Sequence, residues 1–345
     1  MTPDEIYTRL ARIEDPKLGN DIVSLGVVDD VTVEPDVVRV RVTLHAPYAP
    51  DEEWIAERIR EELSDIDREI DLTVPPLPVS DAERPLPSVK NIIAVSSGKG
   101  GVGKTTVAVN TAQALAERGA RVGLLDADLY GPNVPRMLGD GDGPTLNDET
   151  ETLTPPERGG IKVMSLGFLV PEKEAAVMRG PMIDSTLERL LVDVEWGELD
   201  YLIVDLPPGT GDAQLTLCQT VPLTGAVVVT TPQAVSTDDA HRALHMFGEQ
   251  SIPVLGIVEN MSGFTCPSCG DTHDLFGRGG GKTVAEEYDL PFLGSVPIDP
   301  EIRETADDDA HVGTLGEDDT DEAFRDIAGD IANGIGTLRR RGVPN

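Results

Sequence analysis

The sequence has 345 residues, a length that suggests about two domains, and its 39% of hydrophobic residues exclude a wholly disordered chain. Its 62 acidic residues outnumber 28 basic ones, and this formal net charge of −34 argues against nucleic acid or a stable membrane association. Three cysteines cannot build a disulfide framework. No apolar stretch reaches the roughly 18 residues of a membrane span. Because the acidic start of the chain lacks the features of a secretory signal, we expect a cytoplasmic protein.

Residues 1–78 predict a small α+β domain. A stiff linker rich in proline is expected at residues 79–90, and it leaves residues 91–345 as a second domain. The elements predicted for the small domain are a helix marked by Ile6, Leu10 and Ile13, strands at Val31–Val33 and Val37–Thr43, a helix over Trp54–Leu63 and a strand at Ile70–Val74.

The second domain alternates short apolar runs with helical stretches, which predicts an α/β fold with a mostly parallel sheet flanked by helices. The last helix has an apolar face and ends in three arginines, so we expect it to pack on the sheet; the alternative is a membrane-targeting helix. The predicted strands are Ile92–Ser96, Val122–Asp126, Lys162–Leu166, Tyr201–Asp205, Ala226–Thr230, Val254–Glu259 and Phe292–Val296.

A glycine-rich run lies between the first of these strands and the following helix, in the context of a phosphate-binding loop. Its glycines allow backbone N–H groups to turn toward phosphate oxygens, and the helix N-terminus adds a positive dipole end. We expect Lys104 to reach the β- and γ-phosphates, Thr105 to ligate Mg²⁺ and Thr106 to contact the α-phosphate. A glycine-rich turn that only caps a helix is the alternative. The loop consists of Gly98, Lys99, Gly100, Gly101, Val102, Gly103, Lys104, Thr105 and Thr106.

Acidic residues end two further strands of the predicted sheet. Asp205 follows Tyr-Leu-Ile-Val and is expected to hold Mg²⁺ through water, while Asp126 and Asp128 end the strand after the phosphate loop helix. Because the carboxyl ends of parallel strands share one crevice, Asp128 is a candidate for orienting the attacking water. The alternative for Asp126 and Asp128 is a helix cap or a loop carboxylate.

Two cysteines form a knuckle, Cys266-Pro-Ser-Cys269, whose spacing directs two thiolates to one point. Cys218 lies in an apparent helix and is expected in the core. One chain cannot supply four thiolates, but a two-fold dimer can, and such a site suits a [4Fe–4S] cluster or Zn²⁺. The alternatives are a structural Zn²⁺ site that includes His273, a redox disulfide and a turn without metal.

The extra lysine at Lys99 makes the phosphate loop similar to the deviant P-loop of the MinD/ParA ATPases. Within that group the chain resembles the Mrp/ApbC iron–sulfur carrier branch, and the first domain resembles the small iron–sulfur assembly domain often fused to it. The segments that carry these resemblances are 126–133, 179–182, 204–212, 258–261 and 266–269 in the second domain and 14–16, 22–26 and 71–74 in the first.

The resemblance implies a homodimer that sandwiches two ATP molecules, with Lys99 of one subunit reaching phosphates bound by the other. It implies that Asn260 recognises adenine, although Asn260 also suits a simple turn at a strand end. It favours iron–sulfur as the occupant of the cysteine site: an ATP-dependent carrier that binds a [4Fe–4S] cluster at the dimer interface, hydrolyses ATP slowly and transfers the cluster to apoproteins. In this interpretation Lys99, Lys104, Asp128 and Asp205 are catalytic.

The first domain departs from its family at one position. The family usually carries a cysteine before the proline that follows the second strand, whereas this chain has His45-Ala46-Pro47. We therefore expect the domain to act as a docking surface and not as a cluster ligand.

Two other functions remain open at this point. A positioning or partitioning ATPase needs no cysteine knuckle and usually offers a basic face or a membrane helix, so the charge and the Cys266/Cys269 pair disfavour it. A zinc-stabilised regulatory ATPase would use the same cysteines. The acidic residues are spread along the whole chain, as in proteins from salt-loving archaea, so we attribute the charge to a halophilic habitat.

Overall fold

The computed structural model describes residues 1–74, 86–128, 131–139, 141–169, 186–187, 189–266, 268–299, 315–316 and 318–342. Most of the predicted linker and the segment 179–182 lie outside the described residues. The chain divides into two units, Met1–Ser80 with Ala332–Asn345 and Asp81–Ile331. Among the described helices, none combines the length and the apolar content that crossing a membrane requires.

The first unit has the predicted α+β composition. The helix α1 begins after a capping box in which Thr2 and Glu5 bond each other's backbone N–H. The strands form a sheet in the order β1-β2-β3, with β1 and β2 antiparallel and β3 parallel to β2. Valines at alternate positions of β2 are buried, as expected for a sheet with one face in the core. The elements are α1 (Pro3–Leu10), β1 (Val28–Val33), β2 (Val37–Val42), α2 (Pro50–Glu62) and β3 (Glu69–Thr73).

Residues from Ala332 onward group with this first unit, whereas the sequence analysis places them with the second domain. The reason is a buried ionic cluster. Arg340 is 2% exposed in its side chain, and its Nε lies 2.6 Å from Asp15 Oδ2 while its Nη1 lies 3.1 Å from Glu52 Oε1. Glu52 also accepts the backbone N–H groups of His45 and Ala46. Burial raises the pKa of Glu52, and Arg340 opposes that shift.

The second unit contains the parallel sheet that the sequence predicts, and all seven predicted strands are confirmed. Its described elements are β4 (Val89–Ser96), α3 (Lys104–Glu117), β5 (Val122–Asp126), α4 (Val134–Met137), β6 (Thr145–Asn147), β7 (Thr152–Thr154), β8 (Glu157–Arg158), β9 (Ile161–Ser165), α5 (Leu166–Leu169), β10 (Leu199–Asp205), α6 (Asp212–Thr220), β11 (Gly225–Thr230), α7 (Ala234–Glu249), β12 (Val254–Thr265), β13 (Thr272–His273), α8 (Gly280–Glu287), β14 (Phe292–Ile298) and α9 (Asp319–Arg340).

In the described part of the second unit, nine strands form one sheet. Its order is β13-β12-β11-β4-β10-β5-β9-β8, and β14 pairs with β12. The pairings are parallel except where the short β8 and β13 join the edges. The fully buried central strands read as continuous apolar runs, as parallel strands covered on both faces do. Their carboxyl ends therefore lie side by side at one edge, where Asp205 is in register with Asp126.

The last helix, α9, has the apolar face that its spacing predicts. Phe324, Ile327, Ile331 and Ile335 are fully buried. The helix runs from the second unit into the residues that complete the first, since the division between the units falls at Ile331 and Ala332 within it.

We predict that Arg340→Ala destabilises the first unit by about 3–5 kcal/mol, because it leaves the carboxylates of Asp15 and Glu52 buried without their cation. Native-state hydrogen exchange of the β2 amides measures the unfolding free energy of that unit. The exposed neighbour Arg341 provides the matched control, and Arg341→Ala should leave it within about 0.5 kcal/mol. Equal exchange in the two variants would contradict the structural role of the cluster.

Candidate nucleotide site and cysteine pair

The glycine-rich loop joins β4 to α3 and has the backbone that phosphate binding requires. Gly101 and Gly103 have φ angles of 80° and 82°, in the left-handed region that favours glycine. A Cβ atom at Gly98 would lie 2.0 Å from the backbone oxygen of Asp239, so no larger residue fits there. The loop leads directly into the first turn of α3, whose unpaired N–H groups attract anions.

The first two residues of α3 meet the carboxylate that ends β10. Lys104 Nζ lies 2.6 Å from Asp205 Oδ1, and the Thr105 hydroxyl donates to Asp205 Oδ2 at 2.7 Å. Asp205 is fully buried, and burial raises its pKa while Lys104 lowers it. A cation, a hydroxyl and a carboxylate thus converge at the end of the phosphate loop, as the sequence analysis expects.

The two acidic residues that end β5 have different environments. Asp126 is fully buried, and its carboxylate accepts the backbone N–H groups of Asp128 and Val134 and the hydroxyl of Ser165. Burial, reinforced by the charge of Asp205, raises the pKa of Asp126 to about 7. Asp126 therefore caps the turn after β5, the structural alternative that the sequence analysis leaves open for it.

Asp128 lies closer to the lysine of the phosphate loop. Its Oδ2 is 3.8 Å from Lys104 Nζ, and its side chain is 12% exposed. The carboxylates of Asp128 and Asp205 thus both form ion pairs with the ammonium group of Lys104. Ser165, which ends β9 and bonds Asp126, was missed by the sequence analysis; its position at the end of the neighbouring parallel strand is the signal that could have identified it.

Three further predicted residues lie around the loop. Asn260, in β12, is 6% exposed, and its Nδ2 donates to the backbone oxygen of Val102 at 2.9 Å. Lys99 is partly exposed and forms no ion pair with the residues that the structure describes. Thr106 lies in the first turn of α3, where its backbone oxygen accepts from Asn110.

The two cysteines lie on a hairpin that extends β12 to the sheet edge. Residues Phe264 and Thr265, at the end of β12, pair with β13. Two hydrogen bonds close the turn that joins β12 to β13: the Cys266 N–H donates to the Asp271 oxygen at 2.9 Å, and the Gly270 N–H donates to the Cys266 oxygen at 2.8 Å. Cys269 is exposed and its thiol donates to Asp271 Oδ2 at 3.4 Å, while Cys266 is partly exposed. The described residues of this turn present both thiols to solvent.

The chemistry of the three thiols differs with their surroundings. Backbone N–H groups of Ser268 and Cys269 hydrogen bond Cys266 and lower the pKa of its thiol, which favours the reactive thiolate. Burial raises the pKa of Cys218 to about 11, and its place in the core confirms the sequence prediction. Within the described ranges, no three His, Cys, Asp or Glu side chains are grouped to hold a metal ion, so His273 does not join the two cysteines in such a set.

The buried Asp126 generates a pH dependence of stability. Its folded-state pKa is above the ordinary value of 3.8, so the folded chain holds this proton more tightly than the unfolded chain between about pH 4 and 7. We predict that the unfolding free energy of wild type falls by roughly a few kcal/mol relative to that of Asp126→Asn as the pH rises through that window.

Chemical denaturation of both proteins at several pH values measures this difference. The exposed Asp212, at the start of α6, provides the control, and Asp212→Asn should follow the wild-type curve. Parallel pH curves for wild type and Asp126→Asn would contradict the prediction.

Comparisons with protein families agree with this geometry. The model of the NUBPL iron-transfer P-loop NTPase family matches residues 88–332, and that of the iron–sulfur cluster assembly protein family matches residues 3–74. An iron–sulfur cluster carrier protein of Deinococcus radiodurans is 47% identical over 306 residues, which cover 88% of this chain and 87% of the relative. One of Escherichia coli K12 is 42% identical over 305 residues, covering 86% and 82%.

Solved structures give the same fold. A nucleotide-binding protein of Archaeoglobus fulgidus in complex with ADP is 42% identical with a TM-score of 0.57, covering 64% of this chain and 87% of that one. The cell division ATPase MinD of Pyrococcus furiosus has a TM-score of 0.54 at 21% identity, covers 70% of this chain and 98% of that one, and shows the fold alone. The resemblance inferred from the motifs is confirmed: the chain belongs to the NUBPL iron-transfer P-loop NTPase family and carries an iron–sulfur assembly domain before it.

Proposed function

We propose that this protein is an ATP-dependent iron–sulfur cluster carrier that binds a [4Fe–4S] cluster at the interface of a homodimer and transfers it to apoproteins. The observation that carries the proposal is the pair of solvent-facing thiols, Cys266 and Cys269, on a hairpin that extends a strand of a P-loop NTPase sheet. Relatives named as iron–sulfur cluster carriers, similar over most of the chain, support it.

The number of available thiols supports a shared site. A [4Fe–4S] cluster takes four thiolate ligands. One chain offers Cys266 and Cys269, because Cys218 is buried in the core with a raised pKa. Two copies related by a two-fold axis supply two equivalent pairs, which gives the required four. Few and exposed ligands favour release of the cluster to a client protein over permanent storage.

The residues of the nucleotide site fit ATP with Mg²⁺. Hard oxygen ligands from Thr105 and Asp205 suit Mg²⁺, and they lie beside Lys104 at the N-terminus of α3. When bound, Mg²⁺ neutralises phosphate charge. The loop N–H groups and Lys104 bind the phosphates, Thr106 contacts the α-phosphate, and Asp128 orients the attacking water. We propose that this hydrolysis is slow.

Lys99 completes the phosphate site in the proposed dimer. Its side chain is partly exposed and unpaired among the described residues, so it is available to phosphates held by a second copy. The contact of Asn260 with adenine stays a prediction. Its Nδ2 donates to Val102, which leaves Oδ1 to accept from the adenine amino group.

We propose that the first unit acts as a docking surface. We also propose that the whole chain works in the cytoplasm. At the position where the family carries a cysteine, Ala46 is fully buried and its N–H donates to Glu52. This residue offers no thiol and no access, so cluster ligation falls to Cys266 and Cys269.

Anaerobic reconstitution with iron and sulfide tests the cluster site. We expect wild type to develop a broad absorbance near ~400 nm, with one cluster for two chains by iron analysis and light scattering. The double variant Cys266→Ala/Cys269→Ala should stay colourless. The matched control is Cys218→Ala, which removes the buried thiol and should reconstitute like wild type. Equal colour in the double variant, or a coloured monomer, would overturn the proposal.

Two lysine variants test the nucleotide site. Lys99→Ala should lower the rate of ATP hydrolysis by on the order of 10²–10³-fold with little change in nucleotide affinity, because the lysine acts on phosphates bound by the other subunit. Lys104→Ala should abolish nucleotide binding, since Lys104 lies within the loop that holds the phosphates.

Calorimetric binding and steady-state hydrolysis separate the two effects. Lys282→Ala, which changes an exposed lysine in the first turn of α8, is the control and should match wild type. Undiminished hydrolysis by Lys99→Ala would rule out its contribution across the interface.

A further inference from the structure

Two neighbouring polar residues of β12, Glu259 and Asn260, are buried. Glu259 is fully buried and Asn260 is 6% exposed. Successive side chains of a strand point to opposite faces of the sheet, so the two residues contact different parts of the unit. Asn260 contacts the phosphate loop, and Glu259 contacts the base of the cysteine hairpin.

Asn260 contacts the phosphate loop through a single peptide. Its Nδ2 donates to the oxygen of Val102 at 2.9 Å, and the same atom would lie 2.0 Å from a Cβ at Gly103. In a trans peptide the C=O and the next N–H point in opposite directions. The peptide that offers its oxygen to Asn260 therefore directs the Gly103 N–H to the other side. A phosphate that accepts from this N–H would thus be connected to Asn260 through one rigid peptide plane.

Glu259 holds the segment that returns from the cysteine hairpin. Its Oε1 accepts the Gly279 N–H at 2.9 Å and the Ser262 hydroxyl at 2.6 Å, and its Oε2 accepts the Gly281 N–H at 2.6 Å. These N–H groups lie at the start of α8. β12 continues past Glu259 to Thr265, and after the cysteine turn and β13 the chain returns to Glu259 at Gly279 and Gly281. This carboxylate therefore closes the base of the hairpin that carries both cysteines.

A bulge separates these contacts from the hairpin. Between Asn260 and Phe264, β12 advances four residues while β14 advances two, from Val296 to Ile298. Met261 has a φ of 59°, a left-handed conformation that is unusual for a residue other than glycine. Bulges redirect a strand and are frequent beside functional sites. A change in the position of Asn260 would thus be passed to an irregular segment of β12, and this segment leads within a few residues to Cys266.

We infer that Asn260 and Glu259 are positioning residues that couple the phosphate loop to the cysteine hairpin, so that nucleotide binding changes the reactivity of Cys266 and Cys269. This inference rests on the proposed nucleotide and cysteine sites. It assigns Asn260 a contact with the loop backbone in addition to the predicted contact with adenine. In the proposed carrier, nucleotide binding would then change the reactivity of Cys266 and Cys269 within the same chain.

The test measures alkylation of each cysteine by iodoacetamide, with peptide mass spectrometry, with and without saturating Mg-ADP. ADP is expected to occupy the loop, and because it lacks a γ-phosphate, no hydrolysis step contributes to the result. Light scattering ensures that both samples have the same oligomeric state. We expect Mg-ADP to change the rate at Cys266 or Cys269 by about fivefold or more in wild type. A change below about twofold would overturn the inference.

Two variants remove the proposed link at either end. In Asn260→Ala and Glu259→Gln, the rates with and without Mg-ADP should agree within about twofold. Calorimetry verifies that each variant is saturated with nucleotide. A wild-type response in saturated Asn260→Ala overturns the inference; if that variant does not bind ADP, the response of Glu259→Gln decides in the same way.

Internal controls separate coupling from loss of structure. Thr265→Ala alters an exposed side chain on the same strand, nearer to the cysteines, and should keep the wild-type response. The buried Cys218 should stay unmodified in every variant, and its alkylation would reveal unfolding. The assay contains no iron, so failure of cluster reconstitution and failure of the coupling are distinguished.

Discussion

The arrangement of the nucleotide site depends on one electrostatic constraint, which is the fully buried carboxylate of Asp205. A carboxylate removed from water needs a cation and hydrogen bonds, and here Lys104 and Thr105 supply them from the first turn of α3. The parallel sheet brings the end of β10 to the N-terminus of that helix, so the compensation of a buried charge also assembles the groups that we propose to bind phosphate and Mg²⁺. A second buried acid, Asp126, is held differently, by backbone N–H groups and the Ser165 hydroxyl.

Local patterns in the sequence predict the sheet and the phosphate loop well. Strands such as Val122–Asp126 are buried on both faces and read as continuous apolar runs, and the glycines of the loop are required by left-handed backbone and by the close approach of Asp239. Contacts between distant segments leave no such pattern. The bond from Asn260 to Val102 joins residues far apart in the sequence, and a bulge such as that at Met261 has no compositional signature.

The grouping of the last residues with the first unit was missed for the same reason. The arginines at the end of α9 suit a helix C-terminus, which is a sufficient explanation from the sequence alone. In the structure Arg340 is instead almost fully buried between Asp15 and Glu52, and even the nearer of the two in sequence, Glu52, is 288 residues away along the chain. A charge at a helix end gives no indication of the distant acid that it pairs with.

The cysteines show how burial sorts chemically identical side chains. Cys218 lies in the core, where burial raises the pKa of its thiol, whereas Cys266 and Cys269 lie on a solvent-facing hairpin whose N–H groups lower the pKa of Cys266. Two thiolates leave half of a tetrahedral ligand set unfilled. In the proposed cluster site one chain therefore supplies half of the ligands, and a second chain would supply the other half.

The cluster of Asp15, Glu52 and Arg340 also bears on the order in which the protein is made. During translation Asp15 and Glu52 are made long before Arg340, the buried base that pairs with both of them. Arg340 is synthesised 288 residues after Glu52, so native packing around those acids must wait until α9 has been made. The first unit is thus completed only by α9, and a chain that stops before Arg340 would leave both buried acids without their base.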